Sequence, residues 1–272
     1  MKYGICVWNI PLDAVKAVQL AAETGFDGIS LEYGGDPSVE LWGNEAKEKE
    51  IWKLLNQHNL EIASLAVNAL CVCGMSKICR EAQVKKIIQR AVSIAEKWNI
   101  PILQLPSFGD GKIGSKEELQ QTVKMLKYAC ELACQKCIFI GYESTLEIKK
   151  VEEIFRQVEM PNLFYYYDST NLDYAGVQKP SEFFEYFLGK TIQVHVKDSI
   201  KIEGGFRYAP LGSGDTTIQK NVSAVAKSGF KGWVLLESTY KEQKDYEKDI
   251  KNDLNILKTW VRVQKERGGN HG

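Results

Sequence analysis

Eight short apolar runs, each followed by a longer amphipathic stretch, repeat along the whole chain. They are YGICVW (3–8), GISLE (28–32), EIASLAV (61–67), PILQL (101–105), IFIGYE (138–143), LFYYYD (163–168), IQVHV (192–196) and WVLLE (233–237). Strand length and enrichment in β-branched and aromatic residues mark them as buried strands. The intervening stretches carry helical periodicity. In LDAVKAVQLAAETG, Asp13 stands where a helix N-cap belongs and Gly25 where the helix should stop. In NEAKEKEIWKLLNQHN, Ile51, Leu54 and Leu55 share one face, and the charges over 45–50 form the solvated side.

Eight strand–helix units in 272 residues match an α/β closed barrel, the (β/α)8 TIM barrel, for which about 250 residues is typical. A doubly wound sheet alternates in the same way. Eight regular units favour closure, however, and no Gly-x-Gly-x-x-Gly follows the first strand. There is no Pro/Gly/Ser-rich linker and no shift in composition, so residues 1–272 are expected to form a single TIM-barrel domain.

In such barrels the chemistry sits at the C-terminal ends of the strands. The second run ends in Glu32, the fifth in Glu143, the sixth in Asp168 and the eighth in Glu237, while the seventh carries His195 one residue from its end. Taken singly, a terminal carboxylate caps the next helix or pairs with a loop lysine, and a strand histidine is a hydrogen-bonded core group. Together, the consecutive fifth to eighth strands bring three carboxylates and the imidazole to one barrel mouth, where the carboxylates repel one another unless a positive charge sits between them. No arginine or lysine lies inside these four strands, so a divalent cation is the simplest balance. One imidazole with three carboxylates is an oxygen-rich set that suits one Mn, Mg or Co ion, with Zn as a further option.

Lys+Arg and Asp+Glu both total 35, which argues against general nucleic-acid binding or a membrane-surface role. The N-terminus meets Pro11 and Asp13 before an apolar segment reaches signal-peptide length. Seven cysteines are an odd number without the spacing of a disulfide framework, and read as free thiols of a reducing compartment. A cytoplasmic location is expected, with no nucleic-acid or membrane partner; homo-oligomerisation is left open.

The segments GFDGISLE, IGYES, YDSTN, VHVKDS, RYAPLGSGD and LLEST, in this order and at these strand positions, carry a family resemblance. The chain resembles the xylose-isomerase-like barrels, the sugar phosphate isomerase/epimerase superfamily, over its whole length. That resemblance implies one metal ion held by Glu143, Asp168, His195 and Glu237, with Glu143 and Glu237 also forming the acid/base pair. It implies a basic substrate contact after the seventh strand, where Arg207 fits. Tagatose-type epimerases carry a histidine three residues after the sixth-strand aspartate; this chain has Asn171 there, assigned to substrate contact.

The expected activity is metal-dependent isomerisation or epimerisation of a small sugar or sugar phosphate, by proton transfer through an enediolate. An inosose-dehydratase-like lyase is the alternative, and a non-catalytic sugar-binding barrel a further one. An endonuclease IV-type nuclease needs several more histidines than this chain offers, since His58 and His271 lie in a polar helix end and a polar tail. Trp8, Trp42 and Phe108 fall at or just beyond strand ends, where rings wall a sugar pocket, with Trp8 the best placed. Glu32 is read as a substrate contact against a plain salt bridge. The loop PLGSGDTT (210–217) offers either a phosphate cradle or a helix cap from Asp215 or Thr216, and the cap is favoured.

Overall fold

The structure, a computed structural model, describes residues 1–34, 41–176 and 179–269. His271 lies outside them. Eight parallel strands close in the order β1-β10-β7-β6-β5-β4-β3-β2. Their ranges are β1 (Lys2–Cys6), β2 (Gly28–Glu32), β3 (Glu61–Ala66), β4 (Ile102–Pro106), β5 (Phe139–Glu143), β6 (Leu163–Asp168), β7 (Thr191–Val196) and β10 (Trp233–Leu236). The expected closed barrel is met. The helices are α1 (Ala14–Thr24), α2 (Glu45–His58), α3 (Ala69–Cys73), α4 (Glu81–Lys97), α5 (Lys116–Cys134), α6 (Ile148–Val158), α7 (Ser169–Ala175), α8 (Pro180–Tyr186), α9 (Ile218–Lys227) and α10 (Tyr246–Gly269).

The chain divides into two compact units, one of Met1–Ile29, Lys49–Glu61 and Tyr167–Gly272, the other of Ser30–Glu48 and Ile62–Tyr166. In the first, Asp13 caps α1 by accepting from the amides of Val15 and Lys16, and Gly25 ends it at φ 88°, as the sequence predicts. Helix α10 buries Ile250, Leu254, Leu257 and Val261, a three-and-four spacing that makes one apolar stripe. In the second unit α4 buries Val84, Ile88, Ala91 and Ala95 by the same rule, and α5 buries Leu119, Val123, Leu126 and Cys130. All seven cysteines are free. Among the described residues, no helix is long and apolar enough to cross a membrane.

Three differences from the sequence reading bear on the site. β1 stops at Cys6, and Val7–Asn9 form a turn of 3-10 helix, so Trp8 leaves the strand. β10 stops at Leu236, which makes Glu237 the first residue beyond it. Between β7 and α9 lies an unforeseen antiparallel hairpin, β8 (Asp198–Ile202) with β9 (Gly205–Ala209). Its two-residue loop, Glu203-Gly204 with Gly204 at φ 78°, is a short-hairpin signal that the exposed, weakly apolar strands masked.

Candidate active site

The centre of the first unit is built from the C-terminal ends of β1, β6, β7 and β10. Pairing of Leu235 with His195 and of Leu236 with Val196 fixes the register of β10 on β7. The amide of Glu237 continues that ladder onto the carbonyl of Val196 at 2.9 Å, which sets the Glu237 side chain beside the end of β7. His195 is fully buried. Its Nδ1 lies 3.1 Å from Glu237 Oε2 and 3.8 Å from Asp168 Oδ2. On the other side of the ring, Nε2 meets Cys6 Sγ at 3.5 Å.

A lysine also enters this group. Lys197 Nζ is 2.8 Å from Asp168 Oδ2 and 2.7 Å from Glu237 Oε2. No basic residue lies inside the strands, as read from the sequence, but the inference from this to a divalent cation as the simplest charge balance overlooked Lys197, which lies just past the strand run and follows His195 by two residues. Period-2 alternation carried one step past the strand end would have found it. Asp168 does both of the ordinary things a terminal carboxylate does. One oxygen caps α7 by accepting from the amide of Asn171 at 2.9 Å, and the other pairs with Lys197. Cys6 was missed because the first strand was extended two residues beyond its true end.

The charges respond to one another. Burial alone would lower the His195 pKa, but the adjacent Glu237 carboxylate overrides it and raises it well above the ordinary histidine value. Burial would raise Glu237, yet His195 and Lys197 hold it well below the usual carboxylate range. Asp168 is raised by its burial, with Lys197 opposing. Burial pushes the Cys6 thiol up to about 11, so it is a neutral thiol at physiological pH and not a nucleophile.

Above this floor opens a cleft of about 370 Å³, with Trp8, Asn171, Lys197, Arg207, Tyr208 and Glu237 among its lining residues. Phe206 of the hairpin stacks on Tyr174 at 3.4 Å between ring centroids. Two buried carboxylates anchor the hairpin. Asp198 accepts from the amides of Gly212 (2.9 Å) and Gly214 (3.0 Å) and from the Thr216 hydroxyl (2.7 Å). A Cβ at position 214 would collide with the Asp198 carboxylate, so that loop needs glycine there. These amides already serve a carboxylate, which leaves the glycine loop an internal anchor and no phosphate cradle. The N-cap of α9 is Thr217, held by Asp173, while Thr216 accepts from the Ile218 amide at 3.3 Å and Asp215 accepts from the Lys201 amide. The favoured cap thus holds only for the Thr216 hydroxyl, one residue before the N-cap. Asp253 of α10 is the second anchor. It accepts from the Leu211 amide at 2.9 Å and from the Tyr240 and Tyr208 hydroxyls at 2.9 and 3.2 Å.

In the second unit Glu143 ends β5, buried, and its carboxylate accepts from the Gln104 amide group. Glu32 ends β2 and accepts from Asn68 Nδ2 at 2.9 Å. Trp42 donates its indole N–H to the Glu32 carbonyl at 2.6 Å and packs edge-on against Trp98, so its ring is engaged in packing.

The fold and this arrangement can be set against known proteins. The family description "xylose isomerase-like TIM barrel" matches residues 18–260. The chain belongs to that family. Within reach of the xylose isomerase-like barrels stands the 2-epi-5-epi-valiolone 7-phosphate 2-epimerase of an Actinoplanes strain, 24% identical over 228 residues, 84% of this chain and 83% of that protein. Among solved structures, an L-ribulose 3-epimerase superposes with a TM-score of 0.80 at 14% identity, covering 100% of this chain and 98% of its own. The probable 3-DHS dehydratase of petrobactin synthesis from Bacillus anthracis gives 0.73 at 19% identity, covering 95% and 99%. At these identities the two structures speak to the fold.

Proposed function

We propose that the chain is an isomerase-type enzyme that uses one divalent metal ion to isomerise or epimerise a small sugar or sugar phosphate. The observation that carries this reading is a buried imidazole whose Nδ1 faces two carboxylates under a cleft walled by Trp8, Asn171 and Arg207. The family and the epimerase relatives support the same reaction class.

The donors fit a single ion. Asp168 Oδ2 and Glu237 Oε2 are both turned to the same imidazole nitrogen, His195 Nδ1, so that three donor atoms face one point. We assign the ion to Glu143, Asp168, His195 and Glu237. Support comes from the strand order, since β5, β6, β7 and β10 are consecutive in the closed sheet and each delivers its residue at or just past its C-terminal end. Mn, Mg or Co suits this oxygen-rich set. Such an ion supplies Lewis acidity toward a carbonyl and the neighbouring hydroxyl when bound.

The chain's own residues do the rest. With an ion bound, Nδ1 would give up the proton it now shares with Glu237, and Nε2 would keep one toward Cys6 Sγ. Glu237 lines the cleft, so it is the carboxylate placed to remove the proton from the carbon next to the carbonyl. Glu143 returns a proton. Return to the opposite face of the same carbon gives an epimer, and return to the adjacent carbon gives an isomer. Arg207 and Asn171 orient the substrate's oxygen atoms, and the Trp8 ring covers its apolar face. The test is to strip the protein with chelator, reload it with Mn²⁺, and incubate it in D₂O with a panel of ketoses and their phosphates. Deuterium at one carbon of an isomerised or epimerised product, abolished by chelator, is expected. Exchange on no member of the panel, or a dehydrated product alone, overturns the assignment.

A further inference from the structure

We propose that Lys197 is the resident cation of this site in the metal-free protein, and that a divalent ion binds by displacing its ammonium from Asp168 and Glu237 into the cleft. The inference rests on the metal assignment above. The two oxygens that hold the ammonium, Asp168 Oδ2 and Glu237 Oε2, are the same two that face His195 Nδ1. An ion held by both oxygens would sit where the ammonium sits now. One cation must leave for the other to enter.

The structure favours a swap of side chain alone. The Lys197 carbonyl accepts from the Thr170 hydroxyl at 2.8 Å, and the next residue, Asp198, is tied to Gly212, Gly214 and Thr216. The backbone is therefore pinned on both sides of the side chain's origin. The side chain itself is 20% exposed and lines the cleft, so its way out is open. Without a positive charge, two carboxylates this close to one another would repel, and burial would magnify the cost. Lys197 keeps the carboxylates charged and oriented until metal arrives, at the expense of metal affinity. It also gives an order: the ion enters first, and the released ammonium then stands in the cleft that the substrate fills.

Calorimetric titration of the chelator-stripped full chain with Mn²⁺ tests this without any substrate. Lys197→Met keeps the length and removes the charge, and Lys197→Gln serves if the first variant does not fold. The variant should bind Mn²⁺ at least about tenfold more tightly, because the lysine's two ion pairs no longer have to be broken. Its stripped form should melt below the stripped wild type, with the gap closing at metal saturation. Metal taken up by the variant and not by the wild type would be the same result in stronger form. Equal or weaker binding in the variants overturns the displacement while leaving the metal site standing. Binding by neither protein overturns both. A crystal structure of the Mn²⁺-loaded wild type reads the same point directly, since Nζ still on both carboxylate oxygens would refute it.

Discussion

Replacing Asp253 by Asn should flatten a specific part of the pH–stability curve. Asp253 is wholly buried on α10, and burial raises its carboxyl from the ordinary 3.8 to about 6 despite three hydrogen bonds that stabilise the ionised form. In the unfolded chain it returns to about 3.9. Between pH 4 and 6 the native protein therefore keeps a proton that the unfolded chain has released, and stability must fall as pH rises through that window. Below it both states are protonated and nothing is lost; above it the full cost is present. A rise of about two pH units at about 1.4 kcal/mol each makes that cost on the order of 3 kcal/mol. Asn cannot ionise and keeps one acceptor oxygen for the Leu211 amide, so its stability has no such step. Urea unfolding of both proteins at half-unit steps from pH 4 to 7 gives the difference curve, in which contributions common to both, from His195 and Glu237 above all, cancel. The wild type should lose ground on the variant as pH rises. Parallel curves would refute the reasoning, and a wild type that gains on the variant would reverse the sign of the burial argument.

Three further outcomes concern the site. The wild type should hold one divalent ion per chain, removable by chelator, and His195→Ala or Asp168→Ala should lower its affinity by at least about a hundredfold, the upper end for losing a residue that only supports a ligand; elemental analysis showing full occupancy in both variants would displace the site. Arg207→Ala should raise KM for the identified substrate about tenfold or more while metal content and melting temperature stay put, since Arg207 lines the cleft away from the buried ligands; unchanged steady-state kinetics would make it a surface charge. Glu237→Gln and Glu143→Gln should lower kcat by about 10²–10⁴-fold with metal in excess, because an amide cannot accept a proton from carbon. Normal turnover of either metal-saturated variant would move proton transfer to another residue.

The barrel was legible because eight runs of strand-forming residues recur at helix-sized intervals, and that pattern needs only local rules. The convergence of Asp168, His195 and Glu237 followed from counting strand ends, since a closed parallel sheet brings those ends together whatever the loops do. What escaped was chemistry lying one or two residues off a strand boundary. Lys197 follows the last residue of β7, and Cys6 is the last of β1 where the apolar run continues to Trp8. A boundary error of two residues turned a histidine partner into an anonymous core cysteine. The hairpin escaped for another reason: Lys201, Ile202, Phe206 and Arg207 are exposed, so no burial pattern betrays it. The role of Asp198 escaped because its partners stand 14 to 18 residues away and no local signal links them.

That same Asp198 bears on how such an enzyme can change its diet. By gathering Gly212, Gly214 and Thr216 onto one carboxylate, it closes the neck of the segment that rises over the cleft and returns to α9. The segment behaves as a cassette, locked at its base and open to rewriting at its tip. Ile202 stands exposed there, and Phe206, also largely exposed, reaches back to stack on Tyr174. Exchanging residues 201–206 for those of a relative should carry over a preference for a different substrate while the ladder of parallel strands beneath is left undisturbed.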